Sequence, residues 1–218
     1  MWELIIFDCD GVLVDSEPIA CEVVVNVLAR AGFPLTLPEF FTRYAGVSDR
    51  EMFAHLEKQH RTRIGEDVRR TVNDEILTAL TERLEPIPGI HRALEAVEQR
   101  KCVASGSGRQ RVEASLARTG LLAHFAESIF TSEEVPRGKP APDLFLHAAR
   151  QMGVAPRRCL VIEDSEAGVQ AAVAAGMRVL GFVGGSHCAP DRSHALLRNG
   201  AASVFQIMEE LPQRILDV

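Results

Sequence analysis

Residues 4–11 of the chain read LIIFDCDG, an apolar run that leads directly into two aspartates and a glycine. A continuous apolar run of this length predicts a strand that is buried on both faces. Similar runs recur further along the chain, at residues 102–104, 128–130, 159–162 and 179–183. We therefore expect a sheet that is covered by helices on both sides.

Amphipathic segments of helix length lie between these runs, at about residues 89–100, 109–119, 142–152 and 166–176. Pro142 stands near the beginning of the third segment and Gly176 at the end of the fourth, as expected for helix boundaries. Regular alternation of strands and helices predicts an α/β fold with a Rossmann-like parallel sheet.

One part of the chain interrupts this alternation. Residues 17–84 contain helical patterns only, at about residues 17–31, 48–60 and 66–84. We therefore expect an all-helical domain at residues 16–85, inserted into a core domain made of residues 1–15 and 86–218. The short segments that flank the insertion would act as hinge strands.

Composition excludes several classes of protein. The 218 residues include 30 acidic and 24 basic side chains, a formal charge of -6, whereas non-specific nucleic-acid binders are normally basic. No apolar run approaches the roughly 18 residues that a membrane span needs. The N-terminal segment, with Glu3 and two aspartates, lacks the basic region of a signal peptide. Five cysteines without a C-x-x-C pair predict neither disulfides nor a zinc site, and we expect a cytoplasmic monomer with reduced thiols.

Residues with ligand chemistry follow the predicted strands. They occupy residues 8–11 (DCDG), 105–108 (SGSG), 138–140 (GKP) and 163–165 (EDS). Ligands of parallel sheets bind beyond the carboxyl ends of the strands, where these segments would meet. Each segment alone is also consistent with a turn or a helix cap. Together they supply carboxylates for a divalent cation, and a lysine and glycine amides for a phosphate.

The same segments resemble the motifs of the haloacid dehalogenase superfamily. Residues 7–17, FDCDGVLVDSE, are similar to its first motif. Ser105, Lys139 and the pair Glu163-Asp164 match its second, third and fourth motifs in order. The helical insertion resembles the C1-type cap of the branch that contains phosphoglycolate phosphatase and β-phosphoglucomutase. The resemblance covers nearly the whole chain.

This resemblance implies a phosphoryl-transfer mechanism. Asp8 would attack phosphorus and form an aspartyl-phosphate. Asp10 would protonate the departing alkoxide and then take a proton from the hydrolytic water. Ser105, Gly106 and Lys139 would bind the phosphoryl oxygens, where charge concentrates.

The resemblance also implies Mg²⁺ as the cofactor. Its ligands would be the Asp8 carboxylate, the Asp10 backbone carbonyl and Asp164, with Glu163 acting directly or through water. The helical insertion would close over the site and exclude bulk water.

The second aspartate of the first motif narrows the reaction. Dehalogenases of this superfamily lack it and ATPases replace it with threonine, so Asp10 predicts an alcohol leaving group. Lys58 lies off the position at which phosphonate-cleaving relatives carry an imine-forming lysine. We therefore expect a magnesium-dependent phosphatase, that is, a phosphoric monoester hydrolase.

Two alternatives remain open from the sequence. A mutase of the β-phosphoglucomutase type would use the same motifs, although Ala20 stands where such mutases carry a cap histidine. Asp49 likewise stands where they carry an arginine for the second phosphate. A catalytically silent binding protein on the same fold would be expected to lack some of the motif residues, all of which are present.

Substrate-binding residues are expected mainly in the helical insertion. The segment RYAGVSDR, which begins at Arg43, resembles the family's specificity loop. The candidates are Arg43, Gly46 and Arg50, together with Glu17 and, from the core, Arg109. The arginines would meet a second anionic group or sugar hydroxyls, or would simply be solvated. We expect a small phosphorylated metabolite: a sugar, polyol or sugar-acid phosphate.

Overall fold

The structure, a computed structural model, describes three segments of the chain, residues 1–44, 49–125 and 127–218. These residues form two compact units, one made of Met1–Asp15 and Glu85–Val218 and the other of Ser16–Leu84. Glu85 therefore belongs to the first unit, whereas the sequence placed it at the end of the helical insertion. The reason is local, because the Glu85 carbonyl accepts a hydrogen bond from the Asp15 backbone amide at 3.1 Å.

A six-stranded parallel sheet forms the centre of the first unit. Its strands are β1 (Leu4–Phe7), β2 (Arg100–Ser105), β3 (Ile129–Thr131), β4 (Cys159–Glu163), β5 (Arg178–Phe182) and β6 (Ser203–Phe205). They lie in the order β3-β2-β1-β4-β5-β6. The order reverses between β1 and β4, the switch point at which open parallel sheets bind ligands. The predicted α/β class with a Rossmann-like sheet is confirmed.

Helices flank the sheet and make up the second unit. In chain order they are α1 (Glu17–Arg30), α2 (Leu37–Tyr44), α3 (Asp49–His60), α4 (Glu66–Arg83), α5 (Ile90–Ala96), α6 (Arg109–Arg118), α7 (Leu122–Phe125), α8 (Asp143–Gln151), α9 (Glu166–Ala174), α10 (Arg192–Arg198) and α11 (Leu211–Leu216). Among the residues that the structure describes, none of these helices combines the length and the apolar character of a membrane span.

Strand β1 is buried on both faces, which explains its unbroken apolar sequence. Alternate side chains point to opposite faces of a sheet. Leu4 and Ile6 pack in one core with Phe145 of α8. Phe7, on the opposite face, packs edge-to-face against Phe125 of α7, with the ring centroids 6.0 Å apart. Full burial of each such side chain contributes about 1.5–3 kcal/mol to the stability of the fold. The loop after β1 therefore begins at a firmly anchored strand.

The second unit contains α1 to α4, and α1 packs against α4. Helices α1, α3 and α4 lie where the sequence predicts them, but α2 is an addition. It begins at a capping box, in which the Thr36 backbone N–H and hydroxyl donate to Glu39 Oε2 at 2.9 and 2.7 Å. The spacing T-x-x-E is typical of such a box, so the sequence did contain a signal for α2.

Other differences from the predicted elements lie at the edges of the first unit. Strand β6 and helices α7, α10 and α11 were not predicted, and α5 ends at Ala96 rather than near residue 100. The expected hinge strands are reduced to one antiparallel bridge between Val14 and Pro86. A proline cannot donate to a strand ladder, which limits pairing there.

Candidate active site

Three carboxylates meet where β1 and β4 end. Asp8 follows β1, Glu163 is the last residue of β4, and Asp164 comes next. Phe7 pairs with Ile162 across the two strands, so the residues that follow them are neighbours. One carboxylate oxygen of each lies within 4.8 Å of the other two. All three residues are buried, with exposed fractions of 7%, 0% and 5%.

The ammonium group of Lys139 lies between two of these carboxylates. Its Nζ donates to Asp8 Oδ1 and to Glu163 Oε1, both at 2.6 Å. It also lies 5.0 Å from the ring centre of Phe145, the aromatic residue that anchors α8 in the core. Burial alone would lower the pKa of Lys139, but the charges of Asp8 and Glu163 raise it above its ordinary value. The lysine is therefore held in its charged form.

Negative charge at this site exceeds what Lys139 offsets. Burial raises the pKa of Asp8 well above its ordinary value, Lys139 opposes this shift, and the nearby carboxylates of Glu163, Asp164 and Asp10 reinforce it. A divalent cation would favour the ionised carboxylates by neutralising their charge. Oxygen ligands of this type are those that Mg²⁺ binds, so the donor set fits the predicted cofactor.

Glu163 is also held from its other side. Its Oε2 accepts hydrogen bonds from the Ser165 backbone N–H at 2.8 Å and from the Ser165 hydroxyl at 2.9 Å. The same hydroxyl caps α9 by accepting from the Gly168 amide at 3.0 Å. A Cβ atom on Gly168 would overlap the Glu163 carboxylate. Helix α9 can therefore approach Glu163 only because residue 168 has no side chain.

Asp10 lies in the loop after β1, close to residues that the sequence did not single out. The loop is closed by a hydrogen bond of 2.8 Å from Gly11 N to Val14 O. Ser107 Oγ donates to Asp10 Oδ2 at 2.6 Å, and Arg111 Nη2 donates to Asp10 Oδ1 at 3.3 Å. The SGSG segment predicted that the loop after β2 lies near the site. It did not predict which serine of that loop contacts Asp10.

Two of the three predicted phosphate-binding residues, Ser105 and Gly106, lie at the end of β2, the other neighbour of β1. Ser105 is the last residue of β2, and its Oγ accepts a hydrogen bond from Ser107 N at 3.0 Å. The Gly106 carbonyl accepts from the Ser132 hydroxyl at 2.7 Å. These contacts fix the loop at the same edge of the sheet as Asp8.

His187 is a further residue that the sequence did not assign to the site. Its Nε2 lies 2.9 Å from Asp164 Oδ2, and the two side chains are only 8% and 7% exposed. Burial lowers the pKa of His187, but the hydrogen bond to Asp164 raises it, to about 10. A Cβ on Gly11 or Gly185 would lie 2.8 Å from the imidazole Cε1. The two glycines therefore make room for the ring beside Asp164.

Arg109, the core candidate for substrate binding, is engaged elsewhere. Its guanidinium donates to Glu113 at 3.2 Å, to Glu134 at 3.0 Å and to the Ile129 carbonyl at 2.7 Å. The structure thus places Arg109 in an ion-pair network beside β3.

The remaining substrate candidates belong to the second unit. Arg43 donates to Gln59 Oε1 at 2.6 Å within that unit, and Glu17 is the first residue of α1. Arg50 is part of α3, but its side chain lies outside the described residues, as does the whole of Gly46. Their role in substrate binding stays a prediction.

Known proteins are similar to this chain in both sequence and fold. A family model described as haloacid dehalogenase-like hydrolase matches residues 2–176. The 6-phosphogluconate phosphatase of Escherichia coli is 31% identical over 212 residues, which cover 97% of this chain and 93% of that protein.

Solved structures agree with this match. A conserved haloacid dehalogenase-like protein of unknown function from Agrobacterium tumefaciens superposes with a TM-score of 0.89 at 37% identity, covering 100% of this chain and 99% of that one. A HAD family hydrolase from Deinococcus radiodurans, with bound phosphate and sodium, gives a TM-score of 0.80 at 36% identity, covering 99% and 96%. The resemblance seen in the sequence is confirmed, and the chain belongs to the haloacid dehalogenase-like hydrolase family.

Proposed function

We propose that the protein is a magnesium-dependent phosphatase that hydrolyses a small phosphorylated metabolite through an aspartyl-phosphate intermediate. The observation that carries this proposal is the buried cluster of Asp8, Glu163 and Asp164, with Lys139 Nζ 2.6 Å from two of the carboxylates. A carboxylate nucleophile, a fixed cation and a set of oxygen ligands are what phosphoryl transfer to an aspartate requires.

Asp8 is the nucleophile in this mechanism. Its carboxylate attacks phosphorus in line with the departing oxygen, so that one O–P bond forms while the ester O–P bond breaks. Lys139 holds Asp8 Oδ1 in place, and its charge offsets the repulsion between carboxylate and phosphate. Magnesium held by Asp8, the Asp10 backbone carbonyl and Asp164, with Glu163 acting directly or through water, would supply further charge neutralisation.

Asp10 serves as acid and then as base. As an acid it gives a proton to the departing alkoxide, which leaves as the free alcohol. As a base it accepts a proton from the water that attacks the aspartyl-phosphate. This second step breaks the bond from phosphorus to the Asp8 oxygen, releases inorganic phosphate and returns both aspartates to their starting forms.

The phosphoryl oxygens are bound by two residues at the end of β2 and by Lys139, which precedes α8. The Ser105 hydroxyl and the Gly106 amide are neutral donors, and Lys139 is a charged one. Donors of this kind act most strongly where charge develops in the transition state.

The substrate class proposed is a sugar, polyol or sugar-acid phosphate. Support comes from the relative named 6-phosphogluconate phosphatase, whose similarity to this chain covers 97% of this chain. The phosphate in the structure of the Deinococcus relative supports phosphate binding by this fold. The monomeric state and the cytoplasmic location stay predictions.

The decisive experiment is a substrate panel read by released inorganic phosphate. The purified chain is incubated with Mg²⁺ and with sugar, polyol and sugar-acid phosphates, nucleotides and a phosphopeptide. We expect the highest kcat/KM within the first three groups. Preference for a nucleotide or for the phosphopeptide over every other compound would contradict the proposed substrate class.

A mutase activity would be detected by a parallel assay. β-Glucose 1-phosphate is supplied with catalytic glucose 1,6-bisphosphate, and glucose 6-phosphate is measured beside phosphate release. We expect phosphate release to be faster, because Ala20 and Asp49 replace the histidine and arginine that the mutases carry. Faster formation of glucose 6-phosphate than of phosphate from any compound in the panel would exclude the phosphatase assignment.

A further inference from the structure

The Asp10 carboxylate is held on both of its oxygens by side chains that the mechanism above leaves without a role. Ser107 Oγ donates to Oδ2 at 2.6 Å, and Arg111 Nη2 donates to Oδ1 at 3.3 Å. Donors on two different oxygens fix the plane of a carboxylate as well as its position, because rotation about the Cβ–Cγ bond would break at least one of the hydrogen bonds.

Both donors come from one well-anchored segment. Ser107 lies in the loop after β2, where its own amide donates to Ser105 Oγ at 3.0 Å. Arg111 lies in the first turn of α6, which starts two residues after Ser107. Strand β2 pairs with β1, so the donor segment and the Asp10 loop extend from adjacent strands. The side chains of Arg111 and Asp10 are 25% and 14% exposed, which limits competition from water.

Helix α6 directs one particular arginine at Asp10. Arg109 lies two residues earlier, and its guanidinium contacts Glu113 and Glu134 instead. Successive helical residues are about 100° apart around the axis, so two residues place these side chains on nearly opposite sides. The contact between Arg111 and Asp10 therefore follows from the register of α6 and not from a general excess of positive charge.

We propose that Ser107 and Arg111 are positioning residues for the acid–base group Asp10, and that they aim its carboxyl group at the leaving oxygen. This inference rests on the proposed phosphatase function. An alkoxide is a poor leaving group and needs a proton as the O–P bond breaks, whereas a nitrophenolate departs without one. Misaiming Asp10 must therefore slow phosphoryl transfer from alkyl esters far more than from aryl esters.

The test compares kcat/KM of the wild type, Ser107→Ala and Arg111→Ala on two substrates. One is the best sugar phosphate of the panel without a second charged group, and the other is p-nitrophenyl phosphate. Because kcat/KM covers the steps up to departure of the alcohol, it excludes hydrolysis of the aspartyl-phosphate. We expect the alkyl value to fall by about tenfold to a hundredfold and the aryl value to stay within about threefold of the wild type.

Matched variants separate positioning from general damage. Ser107→Thr keeps the hydroxyl and should restore most of the alkyl activity, and Arg111→Lys keeps the charge if Arg111→Ala does not fold. Arg118→Ala removes an arginine from the other end of α6 and should leave both values unchanged. Melting temperatures establish that each variant is folded.

Two outcomes would overturn the inference. Equal losses on alkyl and aryl esters would show that the two residues support the site without aiming Asp10. A loss on 6-phosphogluconate that is absent with the sugar phosphate lacking a second charged group would show that Arg111 binds the second charge of the substrate. Failure of the proposed function is recognised separately, because the wild type itself would then release no phosphate from any ester.

Discussion

Asp8 is subject to opposing influences, and their balance decides whether it can act as a nucleophile. Burial and the surrounding carboxylates raise its pKa, while Lys139 opposes this. In the proposed mechanism only the ionised form attacks phosphorus, so that mechanism requires positive charge at two places: the Lys139 ammonium and the proposed Mg²⁺ position. An uncompensated buried carboxylate would otherwise take up a proton.

Replacement of Asp8 by asparagine tests the nucleophile. Asp8→Asn should reduce kcat by on the order of 10³-fold or more, because an amide neither attacks phosphorus nor binds Mg²⁺ well. Asp74→Asn makes the same chemical change at an exposed position of α4 and should leave kcat unchanged. Phosphate release and the melting temperature are measured for both variants. Retention of a substantial part of kcat by folded Asp8→Asn would exclude Asp8 as nucleophile.

His187 should orient Asp164 toward a bound cation. Removing the donor in His187→Ala is expected to raise the Kd of Mg²⁺ by about tenfold to a hundredfold, as for other groups that hold a metal-ligating side chain. Isothermal titration without substrate measures this directly. His194→Ala changes an exposed histidine of α10 and is the matched control. An unchanged Kd in folded His187→Ala would mean that its contact with Asp164 is irrelevant to the cation.

At the scale of elements, the approach of α9 to the sheet is controlled by Gly168. A glycine-to-alanine change inside a helix normally stabilises it by up to about 1 kcal/mol. Here the added Cβ overlaps the Glu163 carboxylate, so Gly168→Ala should destabilise the protein by about 1–3 kcal/mol and weaken Mg²⁺ activation. Val173→Ala, at an exposed position of α9, should do neither. Urea unfolding of the two variants gives the sign of the change in the free energy of unfolding.

Helices α3 and α4 are linked by Glu57, and this link should depend on pH. The backbone amide of Ile64 and the Arg69 guanidinium donate to Glu57 Oε1 at 3.0 and 2.8 Å. The Ile64 amide, and then Arg69, hold the pKa of Glu57 below its ordinary value. A lowered pKa contributes stability above the pKa of the unfolded chain, and this is lost as the pH falls through the folded value.

Glu57→Gln should therefore lower the melting temperature at pH 7, with a difference that narrows as the pH falls below about 4. Thermal unfolding followed by circular dichroism at several pH values measures the difference. The exposed Glu82→Gln on α4 serves as the control. A gap that widens toward acid pH would contradict the direction of the shift.

The predictability of these elements from the sequence depended on their burial. Strand β1 is wholly buried and therefore apolar throughout, so it can be recognised from the sequence. The edge strand β6 is short and partly exposed, so its residues carry no comparable pattern. Asp8, Ser105 and Asp164 were predicted because they end or follow buried strands, and Lys139 because it precedes a helix in a segment that resembles a family motif. Arg111 and His187 reach it from a helix and a distant loop, and no local pattern shows where such a side chain will point.

At the scale of the whole molecule, repulsion among the buried carboxylates should make stability depend on Mg²⁺. A ligand that binds only the folded state adds about 2.7 kcal/mol at a concentration a hundred times its Kd. We expect Mg²⁺ to raise the melting temperature and EDTA to reverse the rise, with potassium chloride at equal ionic strength as control. The increment should largely vanish in Asp164→Asn. An equal rise with potassium chloride would attribute the effect to ionic strength.

The position of β1 in the sheet has a consequence for how the protein is made. This strand is synthesised before both of its partners, which begin only at Arg100 and Cys159. Pairing over such long stretches of chain is slow, and unpaired apolar segments are prone to aggregate in the meantime. During translation we therefore expect the LIIF segment to stay without its second partner strand until β4 has left the ribosome. A nascent chain that ends before Asp164 already carries Asp8, the proposed nucleophile, but lacks one carboxylate of the buried cluster.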